Sequence, residues 1–147
     1  MLMGEGGNDH VYGAMGRDTL SGGFGDDLVS GLRDEDLIDA GDGNDTIWSG
    51  AANDVAYGGN GNDVIYGSLN DDRFYGEAGA DTFIFEANSG FDAVMDFSFA
   101  AGDRIRLSGQ SYAVQDTAEG MGLVLSGGGF VNLYGIEPGQ FSTAFLN

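Results

Sequence analysis

The hydrophobic and polar positions of this chain repeat with a period of nine from its N-terminal end to Phe83. An aspartate occupies every ninth position, and the residue two positions after each aspartate is apolar. The aspartates are Asp9, Asp18, Asp27, Asp36, Asp45, Asp54, Asp63, Asp72 and Asp81. A fixed short period of this kind predicts a repeat protein whose copies stack on one another.

Each copy divides into a turn of six residues and a strand of three, as in GGFGDDLVS and GGNGNDVIY. Because successive side chains of a strand point to opposite faces, the middle residue of each triplet should point inward and its neighbours outward. The inward residues then include Val29, Ile47 and Ile65, and the outward residues include Trp48, Tyr57, Tyr66 and Tyr75.

The predicted core is thin, with one large apolar side chain in each repeat. Burying such a side chain contributes about 1.5 to 3 kcal/mol, whereas ordering the backbone costs about 1 to 2 kcal/mol per residue. The hydrophobic effect alone therefore does not hold the turns together.

The glycine-rich turns can gather oxygen ligands. Glycine adopts positive φ and allows close backbone approach, so several carbonyl oxygens can point to one centre, and the final aspartate adds a carboxylate. The chain has no Cys and a single His. Oxygen ligands without thiolate or imidazole suit Ca²⁺, which accepts about six to eight of them, better than Mg²⁺ with its tighter octahedron.

The charge agrees with a cation as partner. The 24 acidic residues outnumber five arginines, and the net charge is −19. This excludes nucleic acid and anionic membrane surfaces, which need a basic face. The chain also lacks a long apolar run, so neither a membrane-inserted helix nor an N-terminal signal peptide is expected.

The repeats at residues 4–84 resemble the RTX family of calcium-binding nonapeptide repeats, whose pattern is G-G-x-G-x-D-x-U-x with U apolar. The resemblance implies an all-β fold, a right-handed parallel β-roll (a β-solenoid) of about nine repeats, in which two nonapeptides form one coil. Turns two copies apart then stack on the same edge, and each ion lies between two stacked turns.

Matching positions to the family pattern gives the expected calcium ligands. On one edge they are Gly4, Gly6, Asp9, Gly23, Gly25, Asp27, Gly41, Gly43, Asp45, Gly59, Gly61, Asp63 and Asp81. On the other edge they are Asp18, Asp36, Asp54 and Asp72.

The two edges should bind calcium unequally. Every turn of the first edge has glycine at its fourth position, whereas Asp34, Ala52 and Asn70 replace that glycine on the second edge. Asn and Asp tolerate left-handed backbone better than Ala does. We expect four filled sites on the first edge and up to three weaker ones on the second, about seven ions in all.

After Phe83 the period stops, and strand-like runs such as GLVLSGGGFVNLYG are broken by glycine turns. Residues 1–84 are predicted to form the calcium-binding roll, and residues 85–147 an antiparallel β cap. This segment resembles the serralysin-like region that follows the roll in proteins exported by type I secretion, and its end, FSTAFLN, resembles the uncleaved secretion signal. Asp92, Asp96 and Asp103 are candidates for a further Ca²⁺, with turn hydrogen bonds as the alternative.

The function that the resemblance implies is a calcium-binding module that folds on Ca²⁺ after type I secretion and stabilises or delivers a larger secreted protein. The type I secretion apparatus is then a partner, and the location is bacterial, extracellular or at the cell surface. Met1 to Met3 are in phase as a strand triplet, so the chain is expected to be the C-terminal piece of a longer protein, with a small independent calcium module as the alternative.

Two alternatives remain open. The chain could be the noncatalytic, substrate-docking tail of a secreted hydrolase, lyase or epimerase, with a glycan as partner, or an adhesin or surface-layer assembly module. No catalytic residues are expected, because His10 is the only histidine and the carboxylates are better explained as metal ligands or solvated turn groups.

Overall fold

The computed structural model describes residues 1–140, apart from the side chain of Pro138. This part of the chain is all-β, and its one helical element is a short 3-10 helix, Pro138–Gln140. The strands are β1 Leu2–Gly6, β2 His10–Ala14, β3 Thr19–Phe24, β4 Leu28–Leu32, β5 Leu37–Asp42, β6 Thr46–Trp48, β7 Val55–Asn60, β8 Val64–Gly67, β9 Arg73–Ala78, β10 Thr82–Phe85, β11 Phe91–Val94, β12 Arg104–Arg106, β13 Tyr112–Asp116, β14 Gly120–Leu125 and β15 Phe130–Tyr134.

The strands form two sheets, and from β1 to β13 consecutive strands belong alternately to one sheet and the other. One sheet has nine strands in the order β1-β3-β5-β7-β9-β11-β15-β14-β13, and the other has six in the order β12-β10-β8-β6-β4-β2. From β1 to β10 each strand pairs in parallel with the next strand but one, so that Val29 lies beside Ile47 and Ile47 beside Ile65. The predicted parallel β-solenoid class is confirmed.

The core is the single row of inward residues that the period of nine predicts. Each member of the row is at most 6% exposed, which confirms the predicted inward face. The row consists of Val11, Leu20, Val29, Ile38, Ile47, Ala56, Ile65, Phe74 and Phe83. Toward the C-terminal end the row widens through Phe85, Phe97 and the buried residues of β14 and β15.

The predicted outward aromatic residues lie on the two outer faces as stacked pairs. Trp48 stacks on Tyr66 with ring centroids 3.8 Å apart, and Tyr57 stacks on Tyr75 with centroids 4.6 Å apart. Trp48 remains 40% exposed.

Parallel pairing continues beyond the regular repeats. β11 pairs in parallel with β9, and β12 pairs in parallel with β10. Antiparallel pairing begins with β13 and β14, and β15 joins that hairpin to β11 in parallel. The division into domains at residues 84 and 85 and the capping role of the last strands stay predictions.

The segment FSTAFLN, residues 141–147, lies outside the described residues, and so does its predicted role as a secretion signal. Within the described residues, no helix has the length and apolar character needed to cross a membrane.

Candidate calcium sites

The turns that join the two sheets form two stacks, one on each edge of the solenoid. The first edge consists of residues 4–9, 22–27, 40–45, 58–63 and 76–81, and the second of residues 13–18, 31–36, 49–54 and 67–72. Neighbouring turns of one edge are two repeats apart in the chain, because each coil contributes one turn to each edge.

The aspartate that ends each turn joins a ladder along its edge. On the first edge, the amide of Asp27 donates to Asp45 Oδ1 at 2.7 Å, and the amide of Asp45 donates to Asp63 Oδ1 at 2.8 Å. The second edge has the same arrangement, with the amide of Asp36 donating to Asp54 Oδ1 at 2.8 Å. The structure therefore places the predicted aspartates of each edge in one row.

The second oxygen of most of these carboxylates is buried and has no hydrogen-bond partner. The atoms in this state are Oδ2 of Asp9, Asp27, Asp36, Asp45, Asp54, Asp63, Asp81 and Asp92. A buried carboxylate oxygen without a partner is costly unless a hydrogen-bond donor or a cation satisfies it. The repeated occurrence of this oxygen fits a chain that is completed by cations.

Backbone carbonyls from the next turn lie beside these unpartnered oxygens. A Cβ placed on Gly22 would overlap both Asp27 Oδ2 and the carbonyl oxygen of Ala40. The same holds on the second edge, where a Cβ on Gly31 would overlap Asp36 Oδ2 and the carbonyl of Ser49. Carboxylate and carbonyl oxygens thus converge beside the first residue of five turns, Gly4, Gly13, Gly22, Gly31 and Gly58, and this donor set fits Ca²⁺.

No group of three or more His, Cys, Asp or Glu side chains within residues 1–140 is arranged to hold a metal. Any ion between the turns would therefore depend on carbonyl oxygens as much as on carboxylates.

The expected glycine ligands of the first edge stack on one another in the predicted pairs, except in the first turn. A Cβ on Gly41 would overlap the Gly23 carbonyl, and a Cβ on Gly43 would overlap the Gly25 carbonyl, so both pairs stack. Gly59 and Gly61 continue these two rows. In the first turn, however, Glu5 and Gly7 take these positions rather than Gly4 and Gly6, because the sheet pairs Glu5 with Gly23.

The left-handed backbone of the turns is distributed unequally between the edges. Both edges use positive φ at the second and fourth turn positions, apart from Ser68, and the first edge fills most of these positions with glycine. The residues other than glycine with positive φ are Glu5 and Glu77 on the first edge and Ala14, Leu32, Asp34, Ala52 and Asn70 on the second. Each such residue costs about 1 to 2 kcal/mol, less for Asn and Asp. The second edge is the more strained one.

Sequence reasoning missed the role of Ser49. Its hydroxyl lies 3.1 Å from Asp72 Oδ2, so this carboxylate oxygen already has a hydrogen-bond partner. The only hint in the sequence is that Ser49 occupies the first turn position, which is glycine in most copies.

The structure does not bring Asp92, Asp96 and Asp103 together. Asp92 Oδ1 accepts from the amide of Asp72 at 3.2 Å, and Asp103 Oδ1 accepts from the amide of Asp81 at 3.0 Å. These two aspartates therefore extend the ladders of different edges. Asp96 accepts from the backbone amides of two first-edge residues, Gly76 and Glu77. The three therefore do not form one site, and the binding of calcium by any of them stays a prediction.

Burial raises the pKa of many of the ladder carboxyls, and repulsion from neighbouring carboxylates adds to this, while the ladder hydrogen bonds oppose it. The pKa rises to about 6 for Asp45 and Asp81 and to about 7 for Asp54, Asp63, Asp72 and Asp92. The pKa values of Asp36 and Asp103 also rise, with burial as the main cause. Burial disfavours the ionised form of these carboxyls unless a bound cation offsets their negative charge.

Without metal, the folded chain should be favoured by mild acid. A carboxyl with a raised pKa in the folded state holds its proton between about pH 4 and pH 7, where the unfolded chain has lost it. The stability that this supplies is fully present below about pH 4 and disappears as the pH rises through 6 and 7. Circular dichroism of the metal-free chain should show strand structure increasing from pH 8 to pH 4. Loss of strand structure on acidification would contradict the expectation.

One solved structure is similar to this chain along most of its length. It is the AlgE6R3 subunit of the Azotobacter vinelandii mannuronan C5-epimerase, determined in solution, at 24% identity and a TM-score of 0.41. The match covers 98% of this chain and 80% of that one. No curated protein matches the chain significantly.

The family comparison covers more than half of the sequence. Four copies of the RTX calcium-binding nonapeptide repeat match residues 1–29, 21–56, 48–83 and 57–92. Together with the two aspartate ladders, these matches identify the chain as a member of the RTX calcium-binding nonapeptide repeat family.

Proposed function

We propose that this chain is a calcium-dependent folding module of a secreted protein. It stays unfolded at cytosolic calcium, leaves the cell by type I secretion and folds when extracellular Ca²⁺ fills its turns. Its role is to stabilise or deliver the rest of that protein, and the catalytic or adhesive activity of the whole protein belongs to other parts of it.

The observation that supports the proposal is the row of buried, unpartnered Oδ2 atoms along each edge. These oxygens are costly to bury, and the thin core offers little to compensate for them. About seven divalent ions would also reduce the net charge from −19 to about −5.

The residues that would hold calcium are the turn aspartates of both edges together with carbonyl oxygens of stacked turns. On the first edge Asp27, Asp45 and Asp63 are each 4% exposed or less, and their Oδ1 atoms already fix the carboxylates through the ladder. A bound ion supplies positive charge between turns that otherwise repel each other. The chain's own contribution is to hold the oxygens at the spacing of the coils.

The two edges should separate in a calcium titration. Isothermal titration calorimetry of the whole chain is expected to show about four tighter sites and up to three weaker ones, with affinities near those of extracellular calcium modules, about 10⁻⁴ to 10⁻³ M. Asp63→Asn should weaken calcium binding at the tighter sites, because the Asp63 carboxylate lies on the glycine-rich first edge.

The matched variant is Asp54→Asn, which removes the same charge from the equivalent position on the second edge. It should affect only the weaker class. If both variants weaken the same class of sites, or if the unaltered chain shows a single class, the proposed inequality of the edges is wrong. A chain that binds no calcium at millimolar concentration contradicts the proposed function itself.

A further inference from the structure

The six-stranded sheet is free of acidic residues. Its strands β2, β4, β6, β8, β10 and β12 contain neither Asp nor Glu, although the chain has 24 of them. The nine-stranded sheet, by contrast, carries acids such as Asp39 in its strands. In a chain of net charge −19, an acid-free sheet offers a surface on which an uncharged molecule can bind away from fixed negative charge.

A row of aromatic side chains crosses this sheet with one member absent. Tyr12, Ser30, Trp48 and Tyr66 occupy equivalent outward positions on four neighbouring strands. The Trp48 and Tyr66 rings are stacked at 3.8 Å with an interplanar angle of 6°. Tyr66 covers one face of the Trp48 indole, and Ser30 lies on the side of the opposite face. That second face is therefore directed across Ser30 toward Tyr12.

The absent ring leaves a cleft above Ser30, which we name the Ser30 cleft. Its volume is about 350 Å³, within the range of about 300 to 1,000 Å³ that small-molecule sites occupy. Tyr12 and Trp48, the two walls, are 47% and 40% exposed. The lining consists of Tyr12, Leu28, Ser30, Leu32, Trp48, Gly50 and Ser68, none of them charged.

The spacing of the strands defines the thickness of the molecule that fits the cleft. Tyr12 and Trp48 are two strands apart, which corresponds to roughly 9.6 Å at a strand spacing of about 4.8 Å. A six-membered ring centred above Ser30 and parallel to the aromatic walls would lie about 4.8 Å from each of them, which leaves room for the axial C–H groups of a chair. The cleft therefore accepts a single ring.

We propose that the Ser30 cleft binds a neutral hexopyranose unit of an oligosaccharide. The C–H faces of the sugar ring would pack on Tyr12 and Trp48, while the hydroxyls of Ser30, Ser68 and Tyr12 are available to the polar edge of the ring. The uncharged lining offers no partner for uronates, phosphates or amines. The proposal requires a folded roll and is otherwise independent of the calcium function.

A second copy of the chain is a weaker fit for this face. Six strands span about 24 Å and three residues span about 10 Å, which gives an area of roughly 240 Å². A stable protein interface needs about 800 Å² from each partner. An aromatic side chain of another protein could enter the cleft, but it would leave the three hydroxyls unused.

The test uses the calcium-loaded chain, whose folding is first established by circular dichroism. Trp48 is the only tryptophan of the protein, so its fluorescence reports directly on the cleft. Titration with neutral hexasaccharides of glucose, mannose and galactose should give a saturable change in emission with at least one of them. Ser30→Tyr supplies the absent ring and should reduce the affinity at least about tenfold with calcium binding unchanged.

The matched control is Tyr75→Ala, which removes one ring of the stacked pair on the other sheet and should leave the sugar affinity unaltered. Four results would overturn the proposal: no saturable change with any neutral hexasaccharide, an equal response to an oligouronate, unchanged affinity in Ser30→Tyr, or tighter binding of an aromatic peptide than of every sugar. An emission change that follows protein concentration alone would assign the face to a second copy and also overturn it.

Discussion

In a chelator at neutral pH, the chain is expected to lose its strand structure, and Ca²⁺ is expected to restore it cooperatively. The core contains one buried side chain per repeat and stabilises the fold only weakly. The two rows of buried carboxylates lack a partner for Oδ2 and destabilise it. Proteins whose metal sites form only in the folded state commonly fold and bind metal in one step. Far-ultraviolet circular dichroism as a function of free Ca²⁺ measures this directly.

Magnesium provides the control for ion identity. It demands a tight octahedron and keeps several waters, so the turns should not satisfy it, and Mg²⁺ at the same concentration should leave the chain unfolded. A strand-rich spectrum in chelator at neutral pH would refute coupled folding, and full recovery with Mg²⁺ alone would refute the choice of ion.

The substitution Gly61→Ala should strongly destabilise the roll even at saturating calcium. Gly61 has a φ of 134°, and a Cβ at this position would overlap the carbonyl oxygen of Gly43 in the adjacent turn. The overlap is with backbone, so relief requires the two stacked turns to separate. With the left-handed conformation added, the loss of stability should be about 3 kcal/mol or more. Thermal unfolding in calcium measures it.

Gly7→Ala is the matched control for this substitution. Gly7 takes the same fourth position in the first turn with a φ of 107°, but a Cβ there would meet no atom within 4 Å. It therefore tests the cost of the backbone conformation alone, about 1 kcal/mol. Equal losses in the two variants would show that close stacking of the turns is not what makes Gly61 necessary.

The sequence predicts the repeating part of the fold well because one period contains both the turn and the core. Each aspartate fixes the position of an apolar residue two places later, and this is enough to identify the buried row from Val11 to Phe83. The pairing of each strand with the next but one is implied by the resemblance to the RTX repeats, because the period alone does not say how many repeats form one coil.

The C-terminal continuation of the ladders could not be predicted in the same way. Asp92 follows Asp72 by 20 positions and Asp103 follows Asp81 by 22, so both are out of phase with the period. The extra residues are accommodated in the connections before β11 and β12, and the aspartates still reach the amides of the preceding turns. The conformation of these connections determines which amide each aspartate reaches, and sequence spacing alone does not specify that conformation.

The first turn shows a second limit of pattern matching. Gly4 and Gly6 are spaced like Gly23 and Gly25, but counting back 18 residues from Gly23 and Gly25 gives Glu5 and Gly7, and the pairing of β1 with β3 places these two residues there. Matching glycines to glycines therefore misassigns this turn, whereas the period of nine counted from Asp9 gives the observed register.

The aspartate ladders have a direction. In every rung the amide belongs to the earlier turn and the carboxylate to the later one, from Asp9 and Asp27 to Asp81 and Asp103. In these ladders each turn receives its acceptor from the coil that follows it, and the last acceptors, Asp92 and Asp103, lie outside the regular repeats. A neighbouring row on the first edge runs the opposite way, since the amide of Asn44 donates to Asp26 Oδ1 and the amide of Asn62 donates to Asn44 Oδ1. An interior turn therefore depends on both of its neighbours, so the removal of one coil should leave unpaired amides and unpaired side-chain acceptors on both sides of the gap.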